Sequence, residues 1–107
     1  MEINLYNFFR KKEKELNKEE MEVYFKFNNF LQENCCSASL WGLSIKKPRL
    51  FINIDRPTVA ILTIYIDLND NNIYINNPRC IEIAKGIKEI LKIQKIIWIR
   101  NNKECKN

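Results

Sequence analysis

Residues 58–68 hold the longest apolar run in the chain, and they constrain what the rest can become. Val59, Ala60, Ile61, Leu62, Ile64, Tyr65 and Ile66 are apolar on both registers of a period-two pattern. A strand exposed on one side alternates, whereas one covered on both faces does not. The run falls well short of the roughly 20 apolar residues a membrane helix needs. It is therefore expected as the central strand of a sheet, covered on both faces.

The segment after it reads in one direction. Asn69, Asp70, Asn71 and Asn72 tolerate positive φ and predict a turn, so residues 73–75 return as a hairpin strand. Asn77 and Pro78 supply a side-chain acceptor at an N-cap and a proline at the first helical position. Cys80, Ile83, Ala84, Ile87, Ile90 and Leu91 then recur at three- and four-residue steps, predicting an amphipathic helix near residues 78–92. Gly86 lies at the edge of that stripe. It costs about 1 kcal/mol against alanine in a helix, so a close neighbour is expected there. Residues 96–100 are apolar on both registers and are expected as an interior strand, or one beside the central strand. A parallel crossover from Ile75 to Ile96 would make the sheet mixed. The polar tail 101–107 is expected to fray.

Upstream, residues 3–16 read as a helix with Leu5, Phe8, Phe9 and Leu16 on one side. The mixed charges from Arg10 to Glu15 are those of a solvated face. Residues 17–33 carry two signals. Asn17 and Glu20 fit a capping box, which favours a helix through Leu31. Met21, Val23, Phe25 and Phe27 alternate as a strand would. The helix is the preferred reading, and it leaves an excess of aromatic surface. From Cys36 the period is two, predicting a strand over 37–45 with Trp41, Leu43 and Ile45 on one register. Lys46, Lys47, Pro48 and Arg49 form a basic turn, residues 50–55 the next strand, and Arg56 and Pro57 its end.

The expected fold is α+β in a single domain of 107 residues. A helical, aromatic-rich stretch spans 1–34, and a sheet with a helix spans 36–100. The sheet is mostly antiparallel with about five strands, flanked by helices on each side. Residues 1–34 carry six basic and seven acidic groups, and residues 35–107 carry twelve and six, for a total of +5. That excess permits an acidic partner without requiring one. The first residues lack the basic and apolar regions of a secretory signal, and no segment is apolar enough for a membrane helix. The expectation is an intracellular protein, cytoplasmic or nuclear, with no membrane partner. Cys35, Cys36, Cys80 and Cys105 lack the spacing of a disulfide framework or a zinc site, so they read as reduced thiols.

Composition removes much chemistry. The chain has no histidine, hence no Ser-His or Cys-His nucleophile and no imidazole ligand. Gly42 and Gly86 are its 2 glycines, too few for a phosphate loop or a dinucleotide-binding turn. A carboxylate site from Asp55, Asp67 and Asp70 is the remaining enzymatic candidate. A hairpin about Arg56 and Pro57 would set Asp55 opposite Thr58, on the order of 30 Å from Asp67 at strand rise, too far to share a metal. No catalytic residue, cofactor or metal is therefore assigned.

The expected function is a non-catalytic protein-interaction subunit, self-associating or docked on a larger assembly. Tyr24, Phe25, Phe27, Phe30 and Trp41 are its candidate contact residues. The alternative is a basic nucleic-acid-binding protein. Lys85, Lys88 and Lys92 share one helix side with Lys95 just beyond, and Lys46, Lys47 and Arg49 form a second cluster. The order strand, hairpin, helix, strand is common to many folds and carries no function by itself.

Overall fold

A computed structural model describes residues 3–55 and 62–99. The expected N-terminal helix is shorter than its charge pattern suggested. It forms α1 (Leu5–Arg10), capped by the Asn4 side chain accepting from the Asn7 N–H, and ends where Lys11 turns extended. A single 3-10 turn (Glu13–Glu15) follows. The helix reading of the next segment holds. α2 (Lys18–Glu33) opens on a reciprocal box: the Glu20 N–H donates to Asn17 Oδ1 at 2.8 Å, and the Asn17 N–H donates to Glu20 Oε1 at 3.0 Å. Two orphan donors are satisfied at once, which decides the contest against the alternating pattern.

The strands are β1 (Cys36–Trp41), β2 (Arg49–Ile54), β3 (Ile64–Asp67), β4 (Asn72–Ile75) and β5 (Lys95–Trp98). They form a mixed five-stranded sheet in the order β1-β2-β3-β4-β5. The first three pairings are antiparallel and β4 with β5 is parallel. The connection between those last two strands carries a 3-10 turn (Pro78–Cys80), with Asn77 accepting from the Arg79 N–H, and then α3 (Ile81–Leu91). At the β3–β4 turn, Asp67 Oδ1 accepts from the N–H groups of Asn69 and Asp70, and Asn71 takes the positive φ of 58° that asparagine tolerates.

Three expectations change. First, β1 stops at Trp41 instead of running to Ile45. Gly42 adopts φ 78° and its carbonyl accepts from the Lys47 N–H at 2.9 Å, so the chain turns away from the sheet. Second, Arg49 pairs with Asp67 and Ile52 with Ile64, which is not the register that a turn at Arg56 and Pro57, with Asp55 opposite Thr58, would set. Residues 56–61 lie outside the described set, as do 100–107, and with them part of the expected central strand and the tail. Third, β5 is an edge strand of the described sheet, beside β4, although its sequence reads as interior.

Register assigns the faces. Leu50, Ile52, Ile64, Ile66, Ile73 and Ile75 lie on one side and are at most 4 % exposed. They form one core with Leu5, Phe27, Leu31, Ile83, Ala84, Ile87 and Leu91. The described helices thus gather on that face instead of lying on each side of the sheet, with α2 packed on α3. The opposite face carries Arg49, Phe51, Tyr65, Asp67, Asn72, Tyr74 and Ile97, with no described helix across it. β3 is central in position, as expected, but covered by helices on one face. Its apolar second register is Tyr65, half-buried among neighbouring side chains.

Candidate functional site

The open face is organised along one cross-strand row. Phe51, Tyr65 and Tyr74 are register partners on β2, β3 and β4. The two tyrosine rings stack at 4.8 Å with 10° between planes, and Phe51 lies 5.5 Å from Tyr65. The Arg49 guanidinium sits over the Tyr65 ring at 4.7 Å. Tyr65 is therefore held between a cation on one side and an aromatic ring on the other. Burial pushes its phenol above the ordinary value, the nearby Arg49 charge opposes this, and Tyr74 and Asp67 add to it.

At the β1 end this row meets the β1–β2 connection. Trp41 is 61 % exposed and Ile45 67 %, and Leu43 is exposed beside them. Trp41, Gly42, Ile45, Lys47, Arg49 and Phe51 surround a hollow of about 380 Å³. Among the described residues, no carboxylate lies within ion-pair distance of Lys46, Lys47 or Arg49. Asp67, across from Arg49, is engaged by its own turn. The site joins an exposed apolar surface to cations that form no ion pair with a described carboxylate.

The aromatic contact candidates separate. Phe27 is 3 % exposed and belongs to the core, a correction to its place among contact residues. Phe30 packs on that core from the side, against Gly86. Tyr24 is half-buried against Phe25, and Phe25 is exposed on α2. Trp41 alone of the five stands at the hollow. The basic candidates separate too. Lys85, Lys88 and Lys92 line one shallow depression with Glu89 and Ile93, and Lys85 reaches Glu82 at 3.9 Å. Lys95 is exposed on β5, while Lys47 and Arg49 line the Trp41 hollow and Lys46 is exposed beside it.

Leu43, Ile45, Phe51, Tyr65 and Tyr74 were not singled out from sequence. An alternating strand does not say which register faces helices, so the second register of β2 and β3 carried no signal of exposure. The period-two pattern places Ile45 in a strand, where its exposure does not arise.

The carboxylates remain apart. Arg49 faces Asp67, so Asp55 lies 6 positions further along β2, on the order of 20 Å away. That is closer than the turn at Arg56 and Pro57 implied, yet beyond sharing a metal. Cys80 is fully buried in the core, where burial pushes its thiol up. Cys35 and Cys36 stand at the start of β1, with the Cys36 thiol donating to the Asn34 carbonyl. Cys105 lies outside the described residues. Among the described residues, no group of three or more His, Cys, Asp or Glu side chains is placed to hold a metal ion. No described helix is long and apolar enough to cross a membrane.

No protein-family model matches the chain, and no curated protein or solved structure shows significant similarity to it.

Proposed function

We propose that this chain is a non-catalytic protein-interaction domain whose partner docks at the β1–β2 end of the open sheet face. The observation that carries the reading is the joint exposure of Trp41, Leu43 and Ile45 within five consecutive residues. Large apolar side chains exposed singly are ordinary, but Trp41 and Ile45 share one hollow with Phe51, and such a patch favours a contact surface. Tryptophan is also the residue most enriched among side chains that dominate binding energy.

The test is capture from a lysate of the source cells on the immobilised full chain. Wild type is compared with the double variant Trp41→Ala, Ile45→Ser. The reading expects a specific protein that wild type retains and the variant loses. Equal capture by both, or a chain that stays a monomer and captures nothing, contradicts it.

A second reading is nucleic-acid binding through α3. It is favoured by Lys85, Lys88 and Lys92 lining one depression. Glu82 and Glu89 on the same helix dilute the field. This reading expects binding that weakens steeply with salt and drops when the three lysines become alanine. Absence of DNA or RNA binding at about 50 mM salt removes it.

A further inference from the structure

β1 is an edge strand of the described sheet, and natural sheets usually blunt such edges with charge, proline or a bulge. Cys36–Trp41 has none of these. It is uncharged, holds no proline, and pairs with β2 over 6 consecutive residues without a break. The Asp55 N–H donates to the Cys35 carbonyl at 2.8 Å, which sets the alternation of the ladder. The backbone groups of residues 37, 39 and 41 then point to β2, and those of Ala38 and Leu40 point outward. No described strand lies on that side of Ala38 and Leu40. At its Trp41 end the same edge runs into the hollow bounded by Ile45, Phe51, Lys47 and Arg49.

Resting on the protein-interaction reading, we infer that the partner supplies an extended acidic segment that adds to the sheet as a further strand along β1. Its main chain takes the outward groups of Ala38 and Leu40. One large apolar side chain enters the hollow against Trp41 and Phe51. A neighbouring carboxylate meets Lys47 and Arg49, with which no described carboxylate forms an ion pair. Ser37 and Ser39 on the open face are small and leave room for the alternate side chains.

Two other occupants fit less well. A single-stranded nucleic acid needs a run of free ring faces for its bases; both faces of Tyr65 are taken, by Arg49 and by Tyr74, which leaves Trp41 as the exposed ring at the hollow. A second copy pairing β1 antiparallel on β1 would bring Cys36 and Ser37 to the hollow, and neither is large enough to fill it.

The test is selection of random peptides of about 12 residues on the immobilised full chain. Affinities of the selected peptides are then measured by fluorescence polarisation for wild type, Ala38→Pro and Lys47→Glu. Ala38→Pro removes an outward N–H and leaves the β2 ladder in place; thermal unfolding checks that it folds. Lys47→Glu changes an exposed side chain and keeps the question answerable if the proline variant does not fold. The expected peptides carry Asp or Glu beside Phe, Leu or Trp. Their binding is lost in Ala38→Pro and falls on the order of tenfold in Lys47→Glu. Peptides that bind Ala38→Pro as tightly as wild type overturn strand addition. Unchanged affinity in Lys47→Glu, or no enrichment, overturns the acidic partner. A wild-type dimer abolished by Ala38→Pro overturns it in favour of a second copy. Each of these results leaves Trp41-dependent capture of a cellular partner standing, so the two readings fail separately.

Discussion

The Phe30 ring of α2 lies so close to the backbone of Gly86 on α3 that a methyl group at Gly86 would overlap it. The two helices meet at this contact, and glycine is there for its lack of a side chain rather than for backbone freedom. Gly86→Ala therefore sets overpacking, about 1–3 kcal/mol, against a gain in helix propensity of about 1 kcal/mol. The expected net result is a loss of about 1 kcal/mol in denaturant unfolding. In a Phe30→Ala background the clash is gone, and the same substitution should stabilise by up to about 1 kcal/mol. A double-mutant cycle that fails to reverse sign would place the helix contact elsewhere.

Glu20 links the start of α2 to the residue that ends α1. Its carboxylate accepts from the Asn17 N–H and from Lys11 Nζ at 3.0 and 3.1 Å. Those bonds, the backbone one foremost, hold its carboxyl below the ordinary value against a smaller opposing effect of burial. A depressed folded-state pKa adds stability that is present above the unfolded value and is lost as pH falls through the folded one. Stability should therefore begin to decline near the ordinary glutamate range, roughly pH 4.3, and continue downward. Glu20→Gln keeps the box geometry but loses the charge. It should cost about 1 kcal/mol at neutral pH and flatten that acid limb in urea titrations run across pH.

Phe27 and Trp41 are both aromatic, and the fold buries one and exposes the other. Phe27→Ala opens a cavity beneath α2 and should cost about 3–5 kcal/mol. Trp41→Ala removes an exposed ring and should change stability by less than about 0.5 kcal/mol, while the cellular partner is lost. Thermal unfolding of both variants beside the capture assay checks the separation.

Lys92 ends α3 in the left-handed region at φ 57°, a conformation that costs a residue with a side chain. Glycine removes that strain but adds freedom to the unfolded chain. Lys92→Gly should stabilise by roughly 0.5 kcal/mol, read as a shift in the unfolding midpoint. It also removes a charge from the α3 depression, so a nucleic-acid role would be weakened while stability rises.

Local signals were the legible ones. The Asn17–Glu20 box, the Asn77–Pro78 start and the tight neighbour of Gly86 each depend on residues a few positions apart or on one missing side chain. A mostly antiparallel sheet of about five strands follows from period and turn chemistry, and the parallel β4–β5 pair settles that it is mixed. What escaped depends on long-range pairing. The pattern at 37–45 is as good a strand as β1 itself, and only the backbone turn from Gly42 to Lys47 ends it at Trp41. The apolar second registers of β3 and β5 read as burial under a layer. In the fold, Tyr65 is covered by Arg49 and Tyr74 instead, and β5 closes the sheet as an edge. The candidate site was visible only in halves, Trp41 as an aromatic and Lys46, Lys47 and Arg49 as a basic turn. The meeting of Trp41, Lys47 and Arg49 around Phe51 is a property of the β1–β2 register and its connection.

Strand addition along β1 is read out by backbone amide exchange on the chain with its captured partner bound. Exchange should slow over residues 36–51, centred on the outward N–H groups of Ala38 and Leu40, with α3 unchanged. Slowing confined to residues 85–95, or none along β1, would contradict it.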